Sequence, residues 1–304
     1  MTLIAAFKCS DGFVLCADSQ ETVGPYRVTR QKIAPKDCGN FQLAIGGTGN
    51  GDVIDALVDR LETAVAKSAL TDVSGLPSLL RSEALDFQKH EAQGYSKKDR
   101  AVELIVSARS VSLGVAETWR MIASRALPVD KFSLVGWGIP VYEHTVQRLY
   151  RPALTIPQAL ILGLYVFALA GKTSNYIGGP TTVVIGKPNG LWLVAPDEIS
   201  DLAARVEKLS AHVDRLLLLA PDISITTQKF KEELDAFEKT AIDVRKADFQ
   251  ATVQRIVNRG LPTADDAYPR IPPGTTVMIG GPKGTEIKGF ESPEDVIKDG
   301  EDES

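Results

Sequence analysis

At 304 residues, 44% hydrophobic and 24% charged, the chain has the makeup of a globular protein with a sizeable core, as one domain with an appendage or as two smaller ones. A net charge of −5 without a basic stripe argues against nucleic acid as a partner. Cys9, Cys16 and Cys38 form no CxxC, and His90, His144 and His212 lie far apart, so no metal site and no cofactor are expected; the cysteines read as reduced thiols of a cytoplasmic protein.

The chain opens MTLIAAFKCSDGFVLCADS, an apolar run directly behind Met1 and Thr2. Leu3 to Lys8 and Phe13 to Asp18 read as two strands joined at Ser10-Asp11-Gly12, a hairpin signature, and their adjacent apolar residues suit strands covered on both faces. Gln31 to Ala34 and Phe41 to Ile45 read as further strands, the second leading into GGTGNG at Gly46 to Gly51. Helical spacing follows: Ile54, Leu57, Val58, Leu61 and Val65 share one face, and Leu76, Leu79, Leu80, Ala84 and Phe87 another, giving a helix pair between Asp52 and Gln93. Strands return at Val102 (VELIVSA), Val111 (VSLGVAE) and Phe132 (FSLVGWG).

Two helices come next. The first runs from Pro140 to Tyr150; the second lies in LTIPQALILGLYVFALAGKT, with Pro157 in its first turn and Gly171 at its C-terminal cap. Its unbroken apolar part, Ala159 to Gly171, is shorter than the roughly 20 residues a bilayer needs, so it reads as a buried helix, with no membrane partner. With no secretory signal, the expected location is the cytoplasm. Strands TTVVIG from Thr181 and LWLVA from Leu191 close the series. Strands, two helices, strands, two helices, strands: two antiparallel sheets stacked between helix pairs satisfy this order, a four-layer αββα sandwich of the α+β type.

Beyond it, Leu202, Val206, Leu209, Val213 and Leu216, then Phe230, Leu234, Phe237, Ala241 and Val244, step by fours and threes around APDISITT. That spacing predicts an antiparallel helical hairpin, which either covers the domain or serves a neighbouring subunit. The expected division is a domain at 2–220, a helical extension at 221–260, and a Pro/Gly-rich then acidic tail at 261–304, disordered apart from a small hairpin at TVMIGGPKGTEI.

Chemistry is expected at the chain's beginning. Removal of Met1 leaves Thr2 with a hydroxyl and a free α-amine, which titrates near ~7.7–8.0 and can take the hydroxyl proton, so one residue supplies nucleophile and base. Asp18 ends the second strand and Lys32 begins the next, so both can return to Thr2: the lysine favours the neutral amine, and the carboxylate holds the lysine charged. Backbone N–H groups at Gly46-Gly47 can face a developing oxyanion.

Thr2, the hairpin DGFVLCADS, Lys32-Ile33 and AIGGTGNGD together resemble the 20S proteasome β-subunit and the HslV-type peptidase, N-terminal-nucleophile hydrolases. VGWG resembles that family's Gly-Ser-Gly loop, and TSNYIGGPTTVVIG its Gly-Gly turn; the resemblance covers Thr2 to about Ala220. It implies a threonine-type peptidase with Thr2 as nucleophile, Asp18 and Lys32 as the charged pair and Gly47 as oxyanion donor. It also implies self-association into a ring or other multimer, and peptides or unfolded chains as substrate; no ATPase partner is identified. Three positions in two places depart from the pattern: Trp137 stands where the family has a serine, and Ser174 and Ile177 where it has Asp and Ser. The competing readings are a catalytically inactive scaffold subunit, an enzyme acting on a non-peptide amide, and a nucleotide site at GGTGNGD, which lacks the P-loop Lys-Ser/Thr.

Overall fold

Apolar residues occupy successive positions in β1 (Leu3–Cys9) because both of its faces are covered. Leu3, Ala5 and Phe7 turn toward helices, while Ile4 and Ala6 turn toward a second sheet. The computed structural model of the chain describes residues 2–23, 26–222 and 224–258, and two short strands, β13 (Val277–Ile279) and β14 (Thr285–Ile287). β1 forms the expected hairpin with β2 (Gly12–Ala17), Ile4 opposite Ala17. This hairpin sits mid-sheet, between β10 (Phe132–Gly136) beside β1 and β11 (Thr182–Lys187) beside β2, with β12 (Gly190–Leu193) at the edge; every pairing is antiparallel.

The second sheet runs β5 (Pro35–Cys38), β6 (Phe41–Thr48), β7 (Glu103–Ser110), β8 (Ala116–Ile122) and β9 (Arg125–Pro128), also antiparallel. Ile4, Ala6, Phe13, Leu15, Ile33, Ala44, Ile105, Val135 and Val184 fill the space between the sheets. On the outer face of the second sheet, Phe41, Leu43 and Ile45 meet α1 (Gly51–Lys67) and α2 (Leu76–His90) through Leu57, Leu61, Leu80 and Phe87. The Asn50 side chain caps α1, accepting from the N–H groups of Asp52 (3.0 Å) and Val53 (3.3 Å). The four-layer αββα sandwich is therefore present.

On the outer face of the first sheet lie α3 (Ile139–Leu149) and α4 (Ile156–Thr173). Among the described residues, α4 is the one helix long and apolar enough to cross a membrane. Leu160, Leu164, Val166 and Phe167 on it are buried against the first sheet's cluster, and a Cβ on Gly163 would come within 2.7 Å of Cys16 Sγ, so it packs close to the sheet. Pro157 lies in the first turn as expected, whereas Gly171 lies inside the helix, whose cap is Ser174.

α5 (Pro196–Leu219) divides along its length. Ile199, Leu202 and Val206 are buried in the core of the first sheet, while Val213, Leu217 and Leu218 are exposed. Its distal half pairs with α6 (Thr227–Arg245), where His212 Nδ1 lies 2.6 Å from Glu233 Oε1. The hairpin thus covers the domain with one half and extends beyond it with the other. α7 (Ala247–Asn258) returns to the core: Phe249, Val253, Ile256 and Val257 are buried, and the Trp192 indole N–H donates to the Ile256 carbonyl (3.1 Å). β13 and β14 pair antiparallel, Met278 opposite Glu286, in the segment where a small hairpin is expected. The expected disorder of the remaining tail lies outside the described residues.

Three strand expectations need correction. Gln31–Ala34 is not a strand: Ile33 is driven between the sheets and Lys32 turns toward Asp18, so neither residue joins a ladder. Gly46 and Gly47 are not loop but the end of β6, opposite Ile105 and Leu104. Residues 111–115 form the turn before β8, with Gly114 at φ +65°. A two-stranded ribbon, β3 (Gln20–Val23) and β4 (Tyr26–Thr29), is additional.

Candidate active site

Thr2 precedes β1, and its surroundings are fixed from two sides. The Trp137 N–H, just past β10, donates to the Thr2 carbonyl (2.9 Å). That approach is possible because residue 136 is glycine: at φ +117°, a Cβ there would lie 1.8 Å from the Thr2 oxygen. On the other side the Leu3 N–H donates to Asp18 Oδ1 (2.9 Å), and the Asp18 N–H donates to the Leu3 carbonyl (3.2 Å).

Lys32 completes the arrangement. Its Nζ donates to both Asp18 oxygens (2.9 Å each) and to the Gln20 carbonyl (2.6 Å). The side chains of Asp18 and Lys32 are 2% and 9% exposed, so this is a buried ion pair. Burial pushes the Asp18 carboxyl above its usual value, opposed by Lys32 and by the N–H groups of Leu3 and Gly178. Burial likewise pulls the Lys32 ammonium below its usual value, opposed by Asp18. One carboxylate therefore ties the backbone next to Thr2 to a lysine whose proton is held less tightly than usual.

A loop between α4 and β11 presses on the same carboxylate. The Gly178 carbonyl accepts the Gln20 N–H (2.9 Å), and the Asn175 carbonyl accepts from Gln20 Nε2 (3.1 Å). Gly179, at φ +72°, lies so near Ser19 that a Cβ would come within 2.5 Å of its hydroxyl. Ile177 is buried in the α4 core rather than hydrogen-bonding. Trp137 and Tyr176 are half-exposed and meet edge to face, ring centroids 5.5 Å apart at 70°. On the far side of the ribbon, Arg30 bonds Asp55 in α1 and reaches Glu21, fastening β4 to the helix.

The structure thus brings the Thr2 strand, Asp18 and Lys32 into direct hydrogen-bonded contact. Gly47 belongs to the second sheet, one residue past Gly46, where a Cβ would come within 2.5 Å of Ile33 and 2.9 Å of Ile4. Its own lack of a side chain has a packing cause, since a Cβ would strike Leu104 and Ile54 at 2.6–2.7 Å. The cysteines offer no competing nucleophile: all are buried, and burial pushes Cys9 up to about 12 and Cys38 up to about 11. No group of residues suited to a metal ion occurs among the described residues. Gly136 lies in VGWG, and Tyr176 and Gly178 in TSNYIGGPTTVVIG, the two segments that the resemblance pointed to, whereas Gln20 and the Trp137–Tyr176 contact left no signal in the sequence.

No family model matches the chain, and no curated protein matches it. Solved structures do. Anbu (ancestral beta-subunit) from Yersinia bercovieri aligns with a TM-score of 0.58 at 12% identity, over 74% of this chain and 99% of that one. An Anbu Gly-1 mutant from Hyphomicrobium sp. strain MC1 aligns with a TM-score of 0.58 at 14% identity, over 74% and 99%. A helical assembly of the Anbu complex from Pseudomonas aeruginosa contains a chain that aligns with a TM-score of 0.58 at 15% identity, over 72% and 97%. These matches correct the resemblance drawn from the sequence. The neighbours are Anbu proteins, so the assignment to 20S proteasome β-subunits and HslV-type peptidases is set aside, and at such low identity the likeness shows the fold alone.

Proposed function

We propose that this chain is a threonine-type peptidase subunit whose nucleophile is Thr2 once removal of Met1 frees its amine. The observation that carries this reading is the Asp18 carboxylate, which accepts the Leu3 N–H behind Thr2 and two hydrogen bonds from a buried lysine. In the mechanism, Thr2 Oγ attacks the carbonyl carbon of a peptide bond as its proton passes to the Thr2 α-amine. The tetrahedral oxyanion is met by backbone N–H groups, for which Gly47 is the proposed donor. Collapse breaks the C–N bond, the leaving amine takes the proton, and an ester to Thr2 remains. Water, deprotonated by the same amine, then releases the acid and restores the hydroxyl. Charged Lys32 keeps the nearby amine neutral, and Asp18 orients Lys32.

Self-association belongs to the same proposal. Val213, Leu217 and Leu218 on α5 and Leu234 and Ile242 on α6 are exposed apolar side chains of the paired helices, suited to contact with another copy of the chain. An Anbu protein of this fold is described as a helical assembly. A second reading, a catalytically silent subunit, draws support from Trp137, which stands beside Thr2 with no hydroxyl to offer. The test is peptide hydrolysis by the purified protein, alongside intact-mass measurement. Turnover with Met1 absent, abolished in Thr2→Ala, supports the peptidase. Quantitative retention of Met1 with no turnover supports the silent subunit.

A further inference from the structure

Two loops distant in sequence bring an aromatic ring each to the edge of the Thr2 site. Trp137 is 47% exposed and Tyr176 45% exposed, and their rings stand edge to face. Isolated exposed aromatics are common on protein surfaces, whereas exposed apolar side chains gathered beside a candidate site are a feature of binding surfaces. Both are held by backbone bonds that do not depend on the rings. Trp137 is fixed through its N–H on the Thr2 carbonyl (2.9 Å). Tyr176 is fixed through its N–H on Ser174 Oγ (3.1 Å), in the loop that Gln20 latches at Asn175 and Gly178. The wall is therefore preorganised.

Its chemistry selects an occupant. Gly136, Trp137 and Gly138 on one loop, and Ser174 to Gly179 on the other, include no charged side chain. An edge-to-face pair leaves ring faces on which a third ring can stack. We propose that Trp137 and Tyr176 form a seat for an aromatic side chain of the substrate peptide, flanking the bond presented to Thr2. This rests on the peptidase reading for the word substrate, and the test separates the two.

Binding is measured in the Thr2→Ala protein, where turnover cannot interfere, with N-acetylated peptide amides that differ at one position: Phe, Leu, Ala, Arg or Glu. Trp119 and Trp192 are 5% and 1% exposed, so the solvent-quenchable tryptophan emission comes from Trp137. The Phe peptide is expected to shift that emission, protect it from acrylamide, and bind about 3–10-fold more tightly than the Ala peptide. Trp137→Ala and Tyr176→Ala, read by isothermal calorimetry, each bring the Phe/Ala ratio toward one, and Trp137→Phe restores most of it. Equal binding of all peptides, preference for Arg or Glu, or a ratio unmoved by Trp137→Ala overturns the proposal. So does a Trp137→Ala protein that loses assembly mass while its peptide preference persists. A Phe preference in a protein that never hydrolyses peptides would leave the seat standing and remove the peptidase reading; hydrolysis indifferent to Trp137 would do the reverse.

Discussion

Removing the Asp18 carboxylate is the perturbation whose cost the structure fixes best. Asp18→Ala strands two buried groups: the Lys32 ammonium, which loses both 2.9 Å bonds, and the Leu3 N–H, which loses its 2.9 Å acceptor. Breaking a buried pair from one side costs about 3–5 kcal/mol, and an orphaned buried N–H about 1–3 kcal/mol more. Lys32 retains the Gln20 carbonyl and can shed a proton that burial already loosens, so the lower ends apply, about 4 kcal/mol together. Asp18→Asn keeps an acceptor for Leu3 and should cost about 1 kcal/mol less than Asp18→Ala. Lys32→Met replaces the lysine with an apolar chain of similar length; combined with Asp18→Asn, it should recover most of the loss, because no charge is then buried alone. Urea unfolding of the four proteins closes a double-mutant cycle, with an expected coupling of about 2–3 kcal/mol. A coupling under about 0.5 kcal/mol, the level of exposed pairs, would refute the buried pair as the organising element of the site.

Other outcomes follow from the same geometry. Because the folded-state pKa of Lys32 is lowered, the unfolded chain binds more protons between that value and about 10.4, so stability rises with pH through this window; Lys32→Met should remove the rise, seen as the difference between two pH series of unfolding midpoints. Gly136→Ala places a Cβ 1.8 Å from the Thr2 oxygen at φ +117° and should cost about 3 kcal/mol or more, whereas Gly171→Ala, with open space inside α4, should stabilise by about 0.5–1 kcal/mol; thermal melts compare the two directly. Leu217→Glu with Leu218→Glu should reduce the mass of any assembly in light scattering while leaving the unfolding midpoint within about 0.5 kcal/mol of the parent, since both residues are exposed.

The sandwich was legible because its strands and helices carry their burial in their spacing. β1 and β2 alternate between a helix-facing and a sheet-facing set, and α1 and α2 place Leu57, Leu61, Leu80 and Phe87 on inward faces. Elements escaped detection where pattern and burial part company. β4 is exposed throughout, so no alternation marks it. In Gln31–Ala34, buried Ile33 between Lys32 and an exposed Ala34 imitates a strand, though among the described residues no strand pairs with it. Gly46 and Gly47 look like a loop by propensity, yet crowding by Ile33, Ile4, Leu104 and Ile54 leaves room for nothing larger within β6. VSLGVAE is apolar enough for a strand, but Val111, Leu113 and Val115 are exposed around a left-handed Gly114. At the candidate site, Lys32 reaches Asp18 from an irregular segment rather than from the expected strand, while the closeness of Asp18 to the strand behind Thr2 was legible from the hairpin. The Trp137–Tyr176 contact was not, since it joins loops that only the assembled fold makes neighbours.

The measurement that bears most directly on the role of Thr2 is the mass and position of a covalent adduct. The protein is incubated with a peptide electrophile that reacts with hydroxyl nucleophiles, digested, and sequenced by tandem mass spectrometry. A single adduct on an N-terminal Thr2, lost in Thr2→Ala and slowed in Lys32→Met and Asp18→Asn, is the predicted result. An unmodified N-terminal peptide still carrying Met1, or labelling that is spread over surface residues and indifferent to Lys32, would contradict it.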